Sequence, residues 1–141
     1  MVERYVPAIR KSPLQRGDGA LPEKSLTVFV VDDDESVRKA LKRLLRAHGY
    51  NVMIFESAED FLVSDSVQAE GCIVADVCLP GISGLDLYEK LAASGASHPV
   101  IFMTAHDAPQ WQERAAKMNA VAYLRKPFDQ QALFDAINLI N

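Results

Sequence analysis

Leu26-Thr27-Val28-Phe29-Val30-Val31-Asp32-Asp33-Asp34 is a run of six apolar or β-branched residues leading straight into three carboxylates. A run of that length without polar alternation reads as a strand buried on both faces, as in a parallel sheet covered by helices. Three more runs follow the same plan. Cys72-Ile73-Val74-Ala75 ends at Asp76, Val100-Ile101-Phe102-Met103 ends at Thr104, and Val121-Ala122-Tyr123-Leu124 leads through Arg125 to Lys126. In an open α/β sheet, ligands and chemistry collect at the carboxyl ends of the strands. Asp32, Asp33, Asp76, Thr104 and Lys126 are therefore expected at one edge. Three close carboxylates repel one another, so the arrangement calls for a cation.

The segments between these runs read as helices. Val37, Leu41, Leu44 and Leu45 recur at helical spacing over residues 36–48, and Gly49 stops the helix. Val52-Met53-Ile54-Phe55 is a further strand, after which Ser57 caps a short helix holding Phe61 and Leu62. Leu79-Pro80-Gly81 forces a loop, and Gly84 to Ala93 reads as a helix with Leu85, Leu87, Tyr88 and Leu91 apolar. A less regular helix covers about Pro109 to Met118, with Asn119 at a position suited to a left-handed residue. Asp129 caps the last helix, whose apolar positions are Leu133, Phe134, Ile137 and Ile140. Five strands alternating with five helices predict a flavodoxin-like, doubly wound parallel α/β sheet of order 2-1-3-4-5. Strands 1 and 3, which carry Asp32, Asp33 and Asp76, then lie side by side at the switch point.

The chain has 141 residues, 49% hydrophobic and 24% charged, as expected of one globular domain. Residues 1–24 contain Pro7, Pro13, Pro22, Gly17 and Gly19 without an apolar period and read as a linker or extension, with a short helix near the start conceivable. Residues 25–141 form the folded unit. Net charge is −4, but residues 1–25 carry five Lys/Arg against three Asp/Glu and the remainder ten against sixteen. A globular part at −6 (ten minus sixteen) is poorly suited to nucleic acid. No run is long enough to span a membrane and the start does not read as a signal peptide. Cys72 and Cys78 match no disulfide or zinc spacing, so a reducing, cytoplasmic setting is the simplest expectation.

Four motifs in order, Val31-Asp32-Asp33-Asp34, Asp76 with Pro80-Gly81 beyond it, Thr104-Ala105 and Lys126-Pro127-Phe128, resemble the receiver domain of two-component response regulators. The resemblance covers residues 26–141. Ser36-Val37-Arg38 and Ser57-Ala58-Glu59 look most like receivers of the LuxR/NarL-type or FixJ-like branch of transcriptional regulators. It implies Asp76 as phosphoacceptor, attacking a phosphohistidine on a histidine kinase or histidine phosphotransfer protein. It further implies Mg2+ bound by Asp33, Asp76 and the Cys78 backbone carbonyl, with Asp32 acting mostly through water. Oxygen-only ligands that leave waters in place suit magnesium. Lys126 would pair with a phosphoryl oxygen and Thr104 would donate its hydroxyl to another. Thr104 and Tyr123 would form the switch, Tyr123 turning inward and remodelling the helix 4–strand 5–helix 5 face for a second copy or a downstream partner. The implied chemistry is limited to the domain's own phosphoryl transfer and autodephosphorylation, without a separate enzymatic activity.

Each residue also has a plainer explanation. Acidic residues after a strand are often a helix N-terminal cluster, the assignment given to Asp34. Thr104 could cap the next turn, and Lys126 could be a solvated lysine. Only all five together at one edge favour the phosphoacceptor. His48 and His98 read as structural, His106 as a rim residue, and Trp111 as either core or partner contact. The Cys78 thiol, near the acidic cluster, is expected to be raised in pKa and unreactive. Three alternatives stand beside the main reading: a phosphate sink, a pseudo-receiver that binds partners without phosphorylation, and an aspartyl-phosphate hydrolase of similar architecture. The chain reaches Asn141 within about one helix of Lys126, so it is expected to act by docking alone or as part of a longer regulator or hybrid kinase.

Overall fold

Strand β1 (Thr27–Val31) pairs in parallel with β2 (Asn51–Phe55) on one side and β3 (Cys72–Asp76) on the other. The sheet continues through β4 (Val100–Thr104) to β5 (Ala122–Arg125), giving the order β2-β1-β3-β4-β5 expected from the sequence. The structure is a computed structural model and describes residues 26–106 and 108–140. The reading of residues 1–24 as a linker lies outside the described residues.

Successive side chains of a strand point to opposite faces, and the two faces bury different helices. Phe29, Val31, Ile73, Ala75, Phe102 and Tyr123 join the core beneath α2 (Ala58–Leu62), α3 (Gly84–Ala93) and α4 (Pro109–Lys117). Val28, Val30, Val74, Met103 and Leu124 join the core beneath α1 (Glu35–Ala47) and α5 (Gln130–Asn138). Burial on both faces is why β1, β3 and β4 have no polar alternation. Each large apolar side chain buried this way contributes about 1.5–3 kcal/mol.

Local rules set most element ends. Asp34 caps α1, its Oδ1 accepting from the N–H of Ser36 at 2.9 Å and of Val37 at 3.4 Å, so the helix begins at Glu35, one residue earlier than the apolar period alone indicates. Ser57, Ser83 and Asp129 cap α2, α3 and α5 in the same way. Helix α4 has no side-chain cap: Ala108 precedes it and Pro109 opens it. Asn119, two residues beyond its end, takes the left-handed conformation (φ 63°) anticipated for it. The Lys126–Pro127 peptide is cis.

A 3-10 turn at Asp65–Gln68 was not legible from periodicity. His98, 8% exposed, holds the end of that turn. Its Nε2–H donates to the carbonyls of Ala69 at 2.9 Å and Ser66 at 3.2 Å, while its ring meets Phe29 and Phe61 edge-on. His48 stacks on Phe134 at 4.1 Å between ring centroids and caps α1. Both histidines are structural, as expected.

Candidate functional site

The register of the sheet brings the site together. Val31 lies opposite Phe55 and Ala75, Asp76 opposite Met103, and Thr104 opposite Arg125, so the strands end nearly level. The residues just beyond those ends then meet at one edge. One carboxylate oxygen from each of Asp32, Asp33 and Asp76 lies within 4.8 Å of the others. Asp32 is fully buried, Asp76 is 7% exposed and Asp33 is open to solvent.

Lys126 enters this cluster from the far side of the sheet. Its Nζ donates to Asp32 Oδ2 at 2.8 Å and to Asp76 Oδ2 at 3.2 Å, spanning 94 and 50 residues of sequence. The remaining carboxylate oxygens are held by the backbone: Asp34 N–H donates to Asp32 Oδ1 at 2.9 Å and Cys78 N–H to Asp76 Oδ1 at 3.0 Å. Burial pushes the Asp32 carboxyl up from its ordinary value, against the opposing pull of Lys126 and the Asp34 N–H. Burial pulls the Lys126 ammonium down, but its hydrogen bonds to and the charges of Asp32 and Asp76 outweigh that, so its pKa is raised. The ammonium is thus held charged between two carboxylates. Three carboxylates against one ammonium leave the pocket negative, and an all-oxygen donor set this close could hold a metal ion.

Thr104 is buried at the same edge, but its hydroxyl is engaged elsewhere. Oγ1 donates to the His106 carbonyl and accepts from the His106 N–H at 3.1 Å, the first of these bonds being 2.6 Å. The turn-capping role considered for Thr104 is therefore present in this conformation, and His106 meets the site through its backbone. Cys78 Sγ lies 4.0 Å from Thr104 Oγ1. Its thiol pKa is raised, as expected, though burial is the leading cause and the charge of Asp76 a lesser one. Cys72 is pushed up to about 12 by full burial, and both cysteines are free. Tyr123 is 7% exposed, its ring inside the α2–α3–α4 core. Trp111 is half-buried against the same core, which leaves both of its readings open.

Two residues contribute to this edge through contacts between elements that the sequence pattern does not carry. Gly84 packs so tightly under Asp76 that a Cβ there would lie 2.3 Å from the Asp76 carbonyl oxygen. Glu59, on α2, accepts from the Ile82 N–H at 3.2 Å and so ties down the loop following Asp76. Concavity is no guide to this site: a cavity of about 510 Å³ opens at the opposite edge, beside Leu26, His98 and Ile140.

Residues 28–138 match the response regulator receiver domain. The chain is 44% identical over 112 residues to the transcriptional regulatory protein TdiR of Thauera aromatica, covering 79% of this chain and 49% of TdiR. Among solved structures it resembles the response regulator StyR (TM-score 0.76, 45% identity, covering 82% of this chain and 58% of StyR). It also resembles the FixJ-N domain (TM-score 0.75, 33% identity, covering 82% of this chain and 93% of that one). The chain spans about half the length of TdiR, the curated relative it matches here. No helix among the described residues is long and apolar enough to cross a membrane.

Proposed function

This chain belongs to the response regulator receiver domain family, a family that implies a histidine kinase partner, and from that premise we propose that Asp76 is its phosphoacceptor. The observation that carries the proposal is Lys126 Nζ bridging Asp32 Oδ2 and Asp76 Oδ2 within a cluster of three carboxylates. A carboxylate oxygen of Asp76 attacks the phosphorus of a phosphohistidine on a histidine kinase or histidine phosphotransfer protein. The new O–P bond makes an acyl phosphate as the P–N bond breaks, and the departing imidazole nitrogen keeps the electron pair and takes up a proton.

The chain's own groups position and neutralise. Lys126, already charged and 18% exposed at its side chain, follows the charge from the carboxylate to a phosphoryl oxygen. Cys78 N–H holds Asp76 in its orientation. Asp33 and Asp76, with the Cys78 carbonyl, would hold Mg2+ in this reading, with Asp32 assisting. Mg2+ supplies neutralisation of the charge that builds on the phosphoryl oxygens. Thr104 turns its hydroxyl from the His106 carbonyl to the phosphoryl group, which frees the chain just before α4. The inward position of Tyr123 is one this chain adopts, so phosphorylation would stabilise it rather than create it.

Only residues 32–34 separate β1 from α1, which leaves no room for the substrate lid a hydrolase would need. The receiver unit is proposed to be residues 25–141, supported by the family match over 28–138, with residues 1–24 outside it. The free cysteines fit a cytoplasmic location. Acetyl phosphate or phosphoramidate with Mg2+ should add the mass of one phosphoryl group, and Asp76→Asn should abolish that adduct while keeping the fold. An adduct undiminished in the variant would move the acceptor elsewhere.

A further inference from the structure

We propose that Arg38 is a positioning residue for the cation-binding edge of the acidic pocket, orienting Asp33 through the Asp32–Asp33 peptide. The proposal rests on the reading of that pocket as an Mg2+ site. Helix α1 carries five cations, Arg38, Lys39, Lys42, Arg43 and Arg46; Arg38 and Lys42 are partly buried, and Arg38 reaches the pocket. The Lys39 side chain is 65% exposed, whereas that of Arg38 is 14% exposed. An arginine is seldom covered to that extent unless something holds it.

What holds it is a backbone atom of the pocket. Arg38 Nη1 donates to the Asp32 carbonyl at 2.8 Å. Its second neighbour, Glu56, is 4.0 Å from Nη2 and 66% exposed, a pair that contributes little. The Asp32 carbonyl is therefore the main anchor. The other polar atoms of Asp32 are engaged as well: its N–H donates to the Phe55 carbonyl at 3.1 Å, Oδ1 accepts from Asp34 and Oδ2 from Lys126. Asp32 is pinned on every side, and Arg38 supplies the pin on its carbonyl.

That carbonyl shares a rigid peptide plane with the N–H of Asp33. Fixing the one fixes the direction in which Asp33 leaves. Asp33 needs such support, because among the described residues nothing hydrogen-bonds or ion-pairs with its exposed carboxylate. Its place in the three-oxygen cluster follows from the backbone alone. Partners beyond the ligands orient metal sites generally, and their loss weakens binding substantially.

The charge of Arg38 acts with the opposite sign. A guanidinium close to a carboxylate cluster opposes the arrival of a divalent cation. Deleting it would tighten Mg2+ binding if its role were electrostatic, and loosen binding if its role is positioning. The two roles are separable by the sign of one measurement.

Mg2+ affinity is measured by calorimetry on the unphosphorylated protein for wild type, Arg38→Met and Arg38→Lys, with amide hydrogen exchange at Asp33 and Asp34 followed in parallel. Methionine keeps the apolar stem without donor or charge. Arg38→Met is expected to bind Mg2+ roughly tenfold more weakly and to exchange faster at Asp33. Arg38→Lys, with a point charge and one donor in reach, should recover most of the affinity but stay about two- to threefold below wild type. Equal or tighter binding by Arg38→Met overturns the proposal, even where its melting temperature falls. If Arg38→Met does not fold, Arg38→Lys carries the test: affinity below wild type supports the role, and affinity equal or higher overturns it. A wild type that shows no saturable Mg2+ binding removes the pocket reading itself and this proposal with it.

Discussion

Asp32 is fully buried and its carboxylate shares Lys126 with Asp76. Burial is the leading cause of its raised pKa, ahead of the opposing hydrogen bond from Lys126. The folded chain therefore holds the Asp32 proton more tightly than the unfolded chain, whose carboxyl titrates near the ordinary 3.8. Between those two values the native state binds more protons, so this group's contribution to stability falls as pH rises through the folded pKa. It is recovered as pH drops back toward 3.8. Asp32→Asn, free of divalent metal, should melt higher than wild type at neutral pH, and the difference should shrink as the solution is acidified. Thermal unfolding across that range checks it, and a variant that melts lower at every pH would show that the carboxylate is satisfied as it stands. Saturating Mg2+ should narrow the gap from the other side, because the metal stabilises only the state that binds it.

The connection from β3 to α3 is the element on which the acceptor depends. Gly84 N–H donates to the Val77 carbonyl at 3.1 Å, closing the loop on itself, and Val77 N–H donates to Met103 at 2.8 Å. Gly84 thereby lies against the main chain of Asp76. A Cβ would meet the Asp76 carbonyl oxygen at 2.3 Å and its carbonyl carbon at 3.0 Å, both backbone atoms that cannot swing aside. Gly84→Ala should cost about 2–3 kcal/mol and slow phosphorylation by small donors, since relief of the clash moves Asp76. Gly95→Ala is the control. There φ is +92° but no atom lies within 4 Å of the added carbon, so the loss should stay near 1–2 kcal/mol with the phosphorylation rate unchanged. Denaturant melts and phosphoramidate time courses on both variants check the contrast. Equal effects on rate would detach Gly84 from the site.

Across the whole molecule, the route from the pocket to the surface begins at Thr104. Its hydroxyl is bonded to the His106 backbone, just ahead of α4, and Tyr123 packs in the core that α4 covers. Arg114 ties α4 to α3 through Asp86 and Glu89, each at 3.1 Å. These side chains are about half exposed, and such pairs yield readily. Beryllofluoride with Mg2+ should therefore shift amides at His106, along α4, at Tyr123 and into α5, and should promote self-association or partner docking on the α4–β5–α5 face. A coupling of about 1–3 kcal/mol would be ordinary for such a switch. Amide shift mapping and sedimentation check it. Changes confined to Asp32, Asp33, Asp76 and Lys126 would instead describe a phosphate sink.

The sequence by itself determined the architecture and the five pocket residues. Strands covered on both faces must be apolar throughout, so β1, β3 and β4 announce themselves, and the polar residue ending each run has only the sheet edge to occupy. Asp32, Asp33, Asp76, Thr104 and Lys126 were legible for that reason, and the caps Ser57 and Asp129 because capping is a local matter of a few residues. Element ends moved by about one residue, as at Glu35 and Asn51, where a cap or the pairing register overrides the apolar period. Tertiary structure alone decided the inward turn of Arg38, the approach of Gly84 to Asp76, the reach of Glu59 to Ile82 and the half-burial of Trp111. It also decided that the Thr104 hydroxyl is bonded to His106 and that burial, more than nearby charge, governs the Cys78 thiol. Periodicity reports which side of an element faces apolar neighbours. It carries no distance between atoms on separate elements, and each of these features is such a distance or the covering of a side chain by another element.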